Sequence, residues 1–248
     1  AALLERADGL APDHLADVLL AMATAHQRPF TLLERLRGRL AHVRRDVGPD
    51  DALTCAWALS AMTFFPVDTM LMLLERVCDV PGCTLTSPQA NQLRQVALTL
   101  ELEPAASKLR AAVTPETWAR IEKPENMTAD DPCSDLAAVE EVSGVLEEQG
   151  VAFSAAEVVE DFYAVDIACR APGMAPVAVV LDTAGSPDMD IPQDPWTTLK
   201  CGHLSRLGWS VRWLPTALWR AWPEEERLAF VHGLRGGGPA EGDGTAAA

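Results

Sequence analysis

"APDHLADVLLAMATAHQRPF", residues 11–30, and "GPDDALTCAWALSAMTFFPV", residues 48–67, superimpose when one is shifted by 37 positions. Pro12 then falls on Pro49, Asp13 on Asp50, Ala21 on Ala58 and Pro29 on Pro66. A third segment, "SPQANQLRQVALTLELEP" (87–104), places Pro88 39 residues after Pro49 and Leu98 39 after Leu59. Each opens with a proline where a helix accepts one, because the first-turn N–H has no intrahelical partner and the ring presets φ. Each continues as an Ala- and Leu-rich helix and breaks before a second amphipathic helix such as "TLLERLRGRLAHV" or "DTMLMLLERV". One helix pair cannot bury its apolar face alone, so pairs at this period predict an α-solenoid over residues 1–110. A plain helical bundle is the alternative with the same periodicity.

Residues 111–135, "AAVTPETWARIEKPENMTADDPCSD", are rich in Pro, Asp and Glu and read as a connector holding one short helix. The pattern then changes. "LAAVEEVSGVLEEQG" reads as an amphipathic helix capped by Ser134 or Asp135 and stopped by Gly150. "FYAVDIACR" alternates as a half-buried strand, and "VAVVLD" is a continuous apolar run suited to a central strand. Asp194 and Pro195 open the helix "WTTLKCGHLSRLG". "WSVRWLP" returns to a strand, and "TALWRAW" and "PEEERLAFVHGLRG" close the pattern as two short helices. The tail, 236–248, holds no core-forming residues and is expected to be flexible.

An apolar content of 48% suffices for a real core, and no run approaches the roughly 20 apolar residues of a membrane span. The start "AALLERADGL" shows neither an initiator Met nor an Arg/Ser-rich leader. Six cysteines (Cys55, Cys78, Cys83, Cys133, Cys169, Cys201) are scattered, mostly in apolar runs, and read as reduced core residues of a non-secreted protein. Cys78 and Cys83 have no second close pair, and Cys201 with His203 is half a site, so no metal is expected. The formal charge of −16 is concentrated in the middle: 11 basic against 13 acidic residues over 1–110, 4 against 18 over 111–200, and 5 against 5 over 201–248. Charge alone therefore does not exclude a nucleic-acid partner for the two ends.

The order helix, strand, strand, helix, strand, helix, helix resembles the RAP domain, named for an RNA-binding domain abundant in apicomplexans. The features that carry the resemblance are "VAVVLD" with Asp182, the loop Gly185 to Pro187, Thr198 and Lys200, "RLGWSV" with Gly208 and Trp209, "LPTALW" with Trp219, and the helix ending "FVHGLRG". They cover residues 136–235. Val180 stands where that family often has an acidic residue. The family commonly places such a domain after helical repeats of 37 to 38 residues, as in octotricopeptide-repeat and FAST-kinase-like proteins. The resemblance implies an α+β protein: an N-terminal α-solenoid of helix-pair repeats followed by a small α/β RAP domain with a restriction-endonuclease-like mixed sheet flanked by helices. It further implies work on organellar RNA. The expectation is a non-enzymatic, mitochondrial rRNA-stabilising component of a ribosome, without cofactor, contacting RNA and other proteins of a large ribonucleoprotein assembly but no membrane. A chloroplast location, a stand-alone transcript stability, processing or translation factor, and a metal-dependent endoribonuclease are the alternatives.

A nuclease of that fold needs two carboxylates for a divalent ion and a lysine to position water. Asp166 and Asp182 lie on strands expected to be adjacent, but Ala184 stands where the lysine should be. Lys200 and His203 fall on the apolar face of their helix, and a buried ammonium needs a counter-charge. Asp182 is the expected partner, giving a structural strap in preference to a degenerate site. Single-stranded RNA is held by stacking and by basic contacts to phosphate. The candidates are Arg28, Arg35, Arg37, Arg39, Arg44 and Arg45 in the repeats, and Arg206, Arg212, Trp213, Trp219 and Arg220 in the C-terminal domain.

Overall fold

Pro12, Pro49 and Pro88 each stand in the first turn of a helix. In the computed structural model, which describes residues 6–78, 85–130, 133, 135–185, 192 and 194–235, those helices are the backbone of one of two compact units, Ala1–Thr128 and Ala129–Ala248. The chain is α+β, with eleven α-helices and a four-stranded mixed sheet among the described residues. No helix among them is long and apolar enough to cross a membrane. Cys83, Ser134, Pro187 and the tail 236–248 lie outside the described residues.

The first unit contains α1 (Pro12–Thr24), α2 (Phe30–His42), α3 (Pro49–Ala61), α4 (Val67–Cys78), α5 (Ser87–Leu102), α6 (Ser107–Ala112) and α7 (Pro115–Glu122). Helices α1, α3 and α5 pack successively on one another, α2 packs on α4, and α4 on α6 and α7. Helix α3, touched by α1, α4 and α5, is buried nearly all round, including Trp57, Leu53, Cys55 and Leu59. The Trp57 indole Nε1 donates to Gln95 Oε1 of α5 at 2.6 Å.

The 37-residue recurrence extends to single hydrogen bonds. Helices α1 and α3 end on His26 and Thr63, both at φ +50°, a left-handed conformation that ends helices. Gln27 N–H donates to Met22 O and Phe64 N–H to Leu59 O, each at 2.9 Å, so both ends close with the same six-to-one bond. Arg39 Nε donates to Leu10 O at 2.9 Å and Arg76 Nε to Val47 O at 2.8 Å, each a second helix strapping the entry of its own first helix. Arg76 adds a bond from Nη2 to Arg45 O at 3.0 Å.

The second unit contains α8 (Leu136–Glu148), β1 (Phe153–Val159), β2 (Tyr163–Cys169), β3 (Val177–Asp182), α9 (Pro195–Arg206), β4 (Ser210–Pro215), α10 (Thr216–Ala221) and α11 (Glu224–Arg235). Asp135 caps α8 by accepting from Ala138 N–H, and Asp194 caps α9 by accepting from Thr197 N–H. The sheet runs β1-β2-β3-β4. The first two pairings are antiparallel and the last is parallel, with α9 as its crossover. Strands β2 and β3 are buried throughout, as central strands. Ile167, Val177, Val179, Leu181 and Leu214 pack with Ala138, Val142 and Leu146 of α8, Trp219 of α10, and Val231 and Leu234 of α11. Side chains alternate across a strand, so Ala178, Val180 and Asp182 belong to the opposite face.

Strand β1 is an addition to the sequence reading. Its pairing with β2 skips Ala156, which sits at φ +52°, and a turn through Glu160 and Asp161 at φ +55° and +54° joins the two strands.

Replacing Arg76 by Leu keeps most of the apolar stem and removes both straps. The expected cost is about 1–3 kcal/mol, and less for Arg39→Leu, which loses one bond. Urea midpoints of the two variants check the order.

Candidate functional site

Polar side chains converge where the end of β3, the middle of β2 and the inner face of α9 meet. Asp166 is 2% exposed in the middle of β2. Its Oδ1 accepts from Cys133 N–H at 2.5 Å and its Oδ2 from Leu181 N–H at 2.8 Å. Asp182 ends β3 and folds back on its own loop: Oδ1 accepts from the N–H groups of Ala184 and Gly185, both at 2.9 Å, and Oδ2 from Trp213 Nε1 at 3.0 Å. Gly185 is required there, because a Cβ would lie 2.8 Å from Trp213 Cζ2.

Lys200 and His203 point inward as expected, at 5% and 2% exposure. The partner of Lys200 is a correction. Its Nζ lies 2.7 Å from Asp130 Oδ2 instead of pairing with Asp182. Asp182 is already saturated by its turn and by Trp213, whereas Asp130 faces two residues one helical turn apart on α9: Lys200 and Trp196, whose Nε1 donates to Oδ1 at 3.2 Å. Asp130 N–H also donates to Phe162 O at 2.6 Å. His203 Nδ1 shares a 2.7 Å hydrogen bond with the buried Tyr163 hydroxyl.

Burial pushes the Asp166 carboxyl above the ordinary aspartate range, and the Lys200 charge and the two N–H donors offset this only in part. Burial likewise pushes Cys201 up to about 12 and raises Cys133. Both thiols therefore stay protonated near neutrality and are poor nucleophiles. All four oxygens of Asp166 and Asp182 already accept N–H bonds, so a metal ion would have to compete with them. Among the described residues, no three His, Cys, Asp or Glu side chains are grouped to hold a metal.

The basic and aromatic candidates differ in burial and in the partners they already hold. Trp219 is fully buried among Trp222 and Phe230, which removes it as a stacking platform: α10 lays it on the sheet core. Trp213 is half-buried and committed to Asp182. Arg220 is exposed but lies 2.9 Å from Asp135 and 3.6 Å from Glu141. It is the main cause holding the Asp135 carboxyl below its usual range. Arg206 is exposed, with Nη1 3.3 Å from Gly202 O, and Arg212 is half-buried on β4. In the first unit Arg28, Arg44 and Arg45 are exposed. Arg35 lies 3.4 Å from Asp8, Arg37 pairs with Glu34 at 2.8 Å, and Arg39 is spent on its strap. Sequence reasoning missed Asp130, whose only signal was its place in an acidic stretch, and Arg76, whose signal was its equivalence to Arg39.

The chain matches no protein-family model, and no curated protein matches it significantly.

Lys200→Met leaves the Asp130 carboxylate buried without its cation and is expected to cost about 3–5 kcal/mol. Adding Asp130→Asn is expected to restore part of this, as a double-mutant cycle on denaturation midpoints reads. Asp166 carries the opposite pH signature to an ordinary ion-paired aspartate. Its folded-state pKa is raised, so its contribution is present below the unfolded value and is lost as pH rises through the folded one. A pH series comparing Asp166→Asn with the parent is expected to show that decline in the parent only.

Proposed function

We propose that the chain is a non-enzymatic RNA-binding protein, with a helix-pair repeat array followed by a RAP-like α/β domain. Its proposed place is an organelle, as an RNA-stabilising component of a mitochondrial ribosome. The observation that carries the RNA reading is a local reversal of charge. Residues 28–45 hold six arginines against one glutamate in a chain of formal charge −16, and Arg28, Arg44 and Arg45 are exposed. Such a segment attracts a polyanion by releasing its counterions. The solenoid reading is supported by the recurrence at 37 residues of the helix-ending turn and the arginine strap. The RAP reading is supported by the parallel β3–α9–β4 crossover after an antiparallel pair. The engagement of Asp166 and Asp182 by N–H donors favours a structural over a catalytic role.

Arg44→Ala with Arg45→Ala is expected to weaken single-stranded RNA binding across sequences. It should also reduce the salt dependence, by about 0.7 in log–log slope for each phosphate no longer neutralised. Unchanged affinity and slope in a fluorescence-anisotropy titration would sink the RNA reading at this surface. The same RNA incubated with Mg²⁺ or Mn²⁺ is expected to stay intact, and cleavage abolished by Asp182→Ala would establish a nuclease instead. Native protein is expected to co-sediment with a ribosomal subunit; a small free complex would favour a stand-alone factor.

A further inference from the structure

The turns that join the helices of each pair lie beside one another. Arg28 Nη1, from the α1–α2 turn, donates to Thr63 Oγ1 of the α3–α4 turn at 2.7 Å. Phe30, at the start of α2, meets Phe64 edge-on, with ring centroids 6.1 Å apart and planes at 88°. Phe30 is nonetheless 66% exposed, while its equivalent 37 residues on, Val67, is half-buried. A phenylalanine left in water forgoes most of its burial, and the edge-on contact with Phe64 covers only part of the Phe30 ring. Beside these turns lies an open cleft of about 440 Å³ lined by Phe64, Phe65, Glu34, Arg37 and Asp68.

We infer that this edge of the first unit is a nucleobase site for single-stranded RNA, in which Phe30 is the stacking face, the cleft beside Phe64 receives a base, and Arg28 contacts the adjoining phosphate. The inference rests on the RNA-binding reading and places a base where that reading places only phosphates. The Arg37–Glu34 ion pair balances two of the lining charges. With Asp68 left over, the interior suits an uncharged ring better than a phosphate. Arg28 supplies positive charge at this edge, and Arg44 and Arg45 supply it at the other end of α2. Phenylalanine presents a flat face to any base and so tolerates sequence. Arg28 uses one N–H of its five on Thr63, which fixes the guanidinium and leaves donors for a phosphate.

Anisotropy titrations of labelled oligoadenylate against the full chain test this. Phe30→Ala is expected to weaken binding by about 5- to 150-fold with an unchanged salt slope, because stacking is uncharged. Phe30→Trp is expected to retain affinity, and Arg28→Gln to lower the slope by about 0.7. Wild-type affinity in Phe30→Ala, in a protein whose binding still depends on Arg44 and Arg45, overturns this site and leaves the RNA reading standing. No binding by the parent overturns both. A change in sedimentation of the RNA-free protein on Phe30→Ala also overturns the site, since Phe30 would then be a contact between copies of the chain.

Discussion

An ammonium group that is almost fully withdrawn from water must have an anion beside it, and in the second unit that requirement organises the polar interior. Lys200 is placed inward by the apolar face of α9, and Asp130 meets it from a segment seventy residues earlier. Asp130 is held by Lys200, Trp196 and the Phe162 carbonyl, the Cys133 N–H donates to Asp166, and Asp135 caps α8. The helix whose apolar side covers the sheet thus begins six residues after the partner of a charge on α9. A pair of this kind adds little net stability against an apolar replacement; its effect is to make one arrangement much better than its rivals.

The oxygens of the two carboxylates around that pair are all engaged by N–H donors. Asp166 spans two backbone donors from separate segments, and Asp182 makes a turn and holds Trp213. Each is a small acceptor placed where the sheet would otherwise leave N–H groups unpaired in the interior, which is costly. The cluster therefore combines the residue types of a hydrolytic site with N–H donors on every oxygen of Asp166 and Asp182.

Helix starts were legible in the sequence because proline and aspartate act locally: Pro12, Pro49, Asp135 and Asp194 each satisfy or avoid an orphan N–H within one turn. Strand β3 was legible as an apolar run, and β2 as a strand, although its alternation read as half-buried whereas β2 is buried on both faces because it lies between β1 and β3. Strand β1 was not, because its alternation is broken at Ala156 and its turn uses Glu160 and Asp161 in left-handed conformations usually given to Asn and Gly. The burial of Lys200 and His203 followed from helical spacing, but the identity of the counter-ion did not. Asp130 sits in a Pro- and Asp-rich stretch that reads as a solvated loop, and no periodicity connects it with α9. Trp219 misled for the opposite reason: tryptophan beside arginine reads equally as a surface platform or as a core ring with its edge near a charge.

The arginine straps of the first unit bear on how such a chain changes length. Arg39 and Arg76 each reach a carbonyl in their own helix pair, with donor and acceptor 29 residues apart inside a 37-residue period. Copying one period therefore copies both ends of the bond, and deleting one removes both. Duplication or loss of a whole 37-residue period therefore leaves neither strap's guanidinium nor its carbonyl without a partner, whereas the Arg28–Thr63 bond, which joins one pair to the next, depends on both neighbours being present.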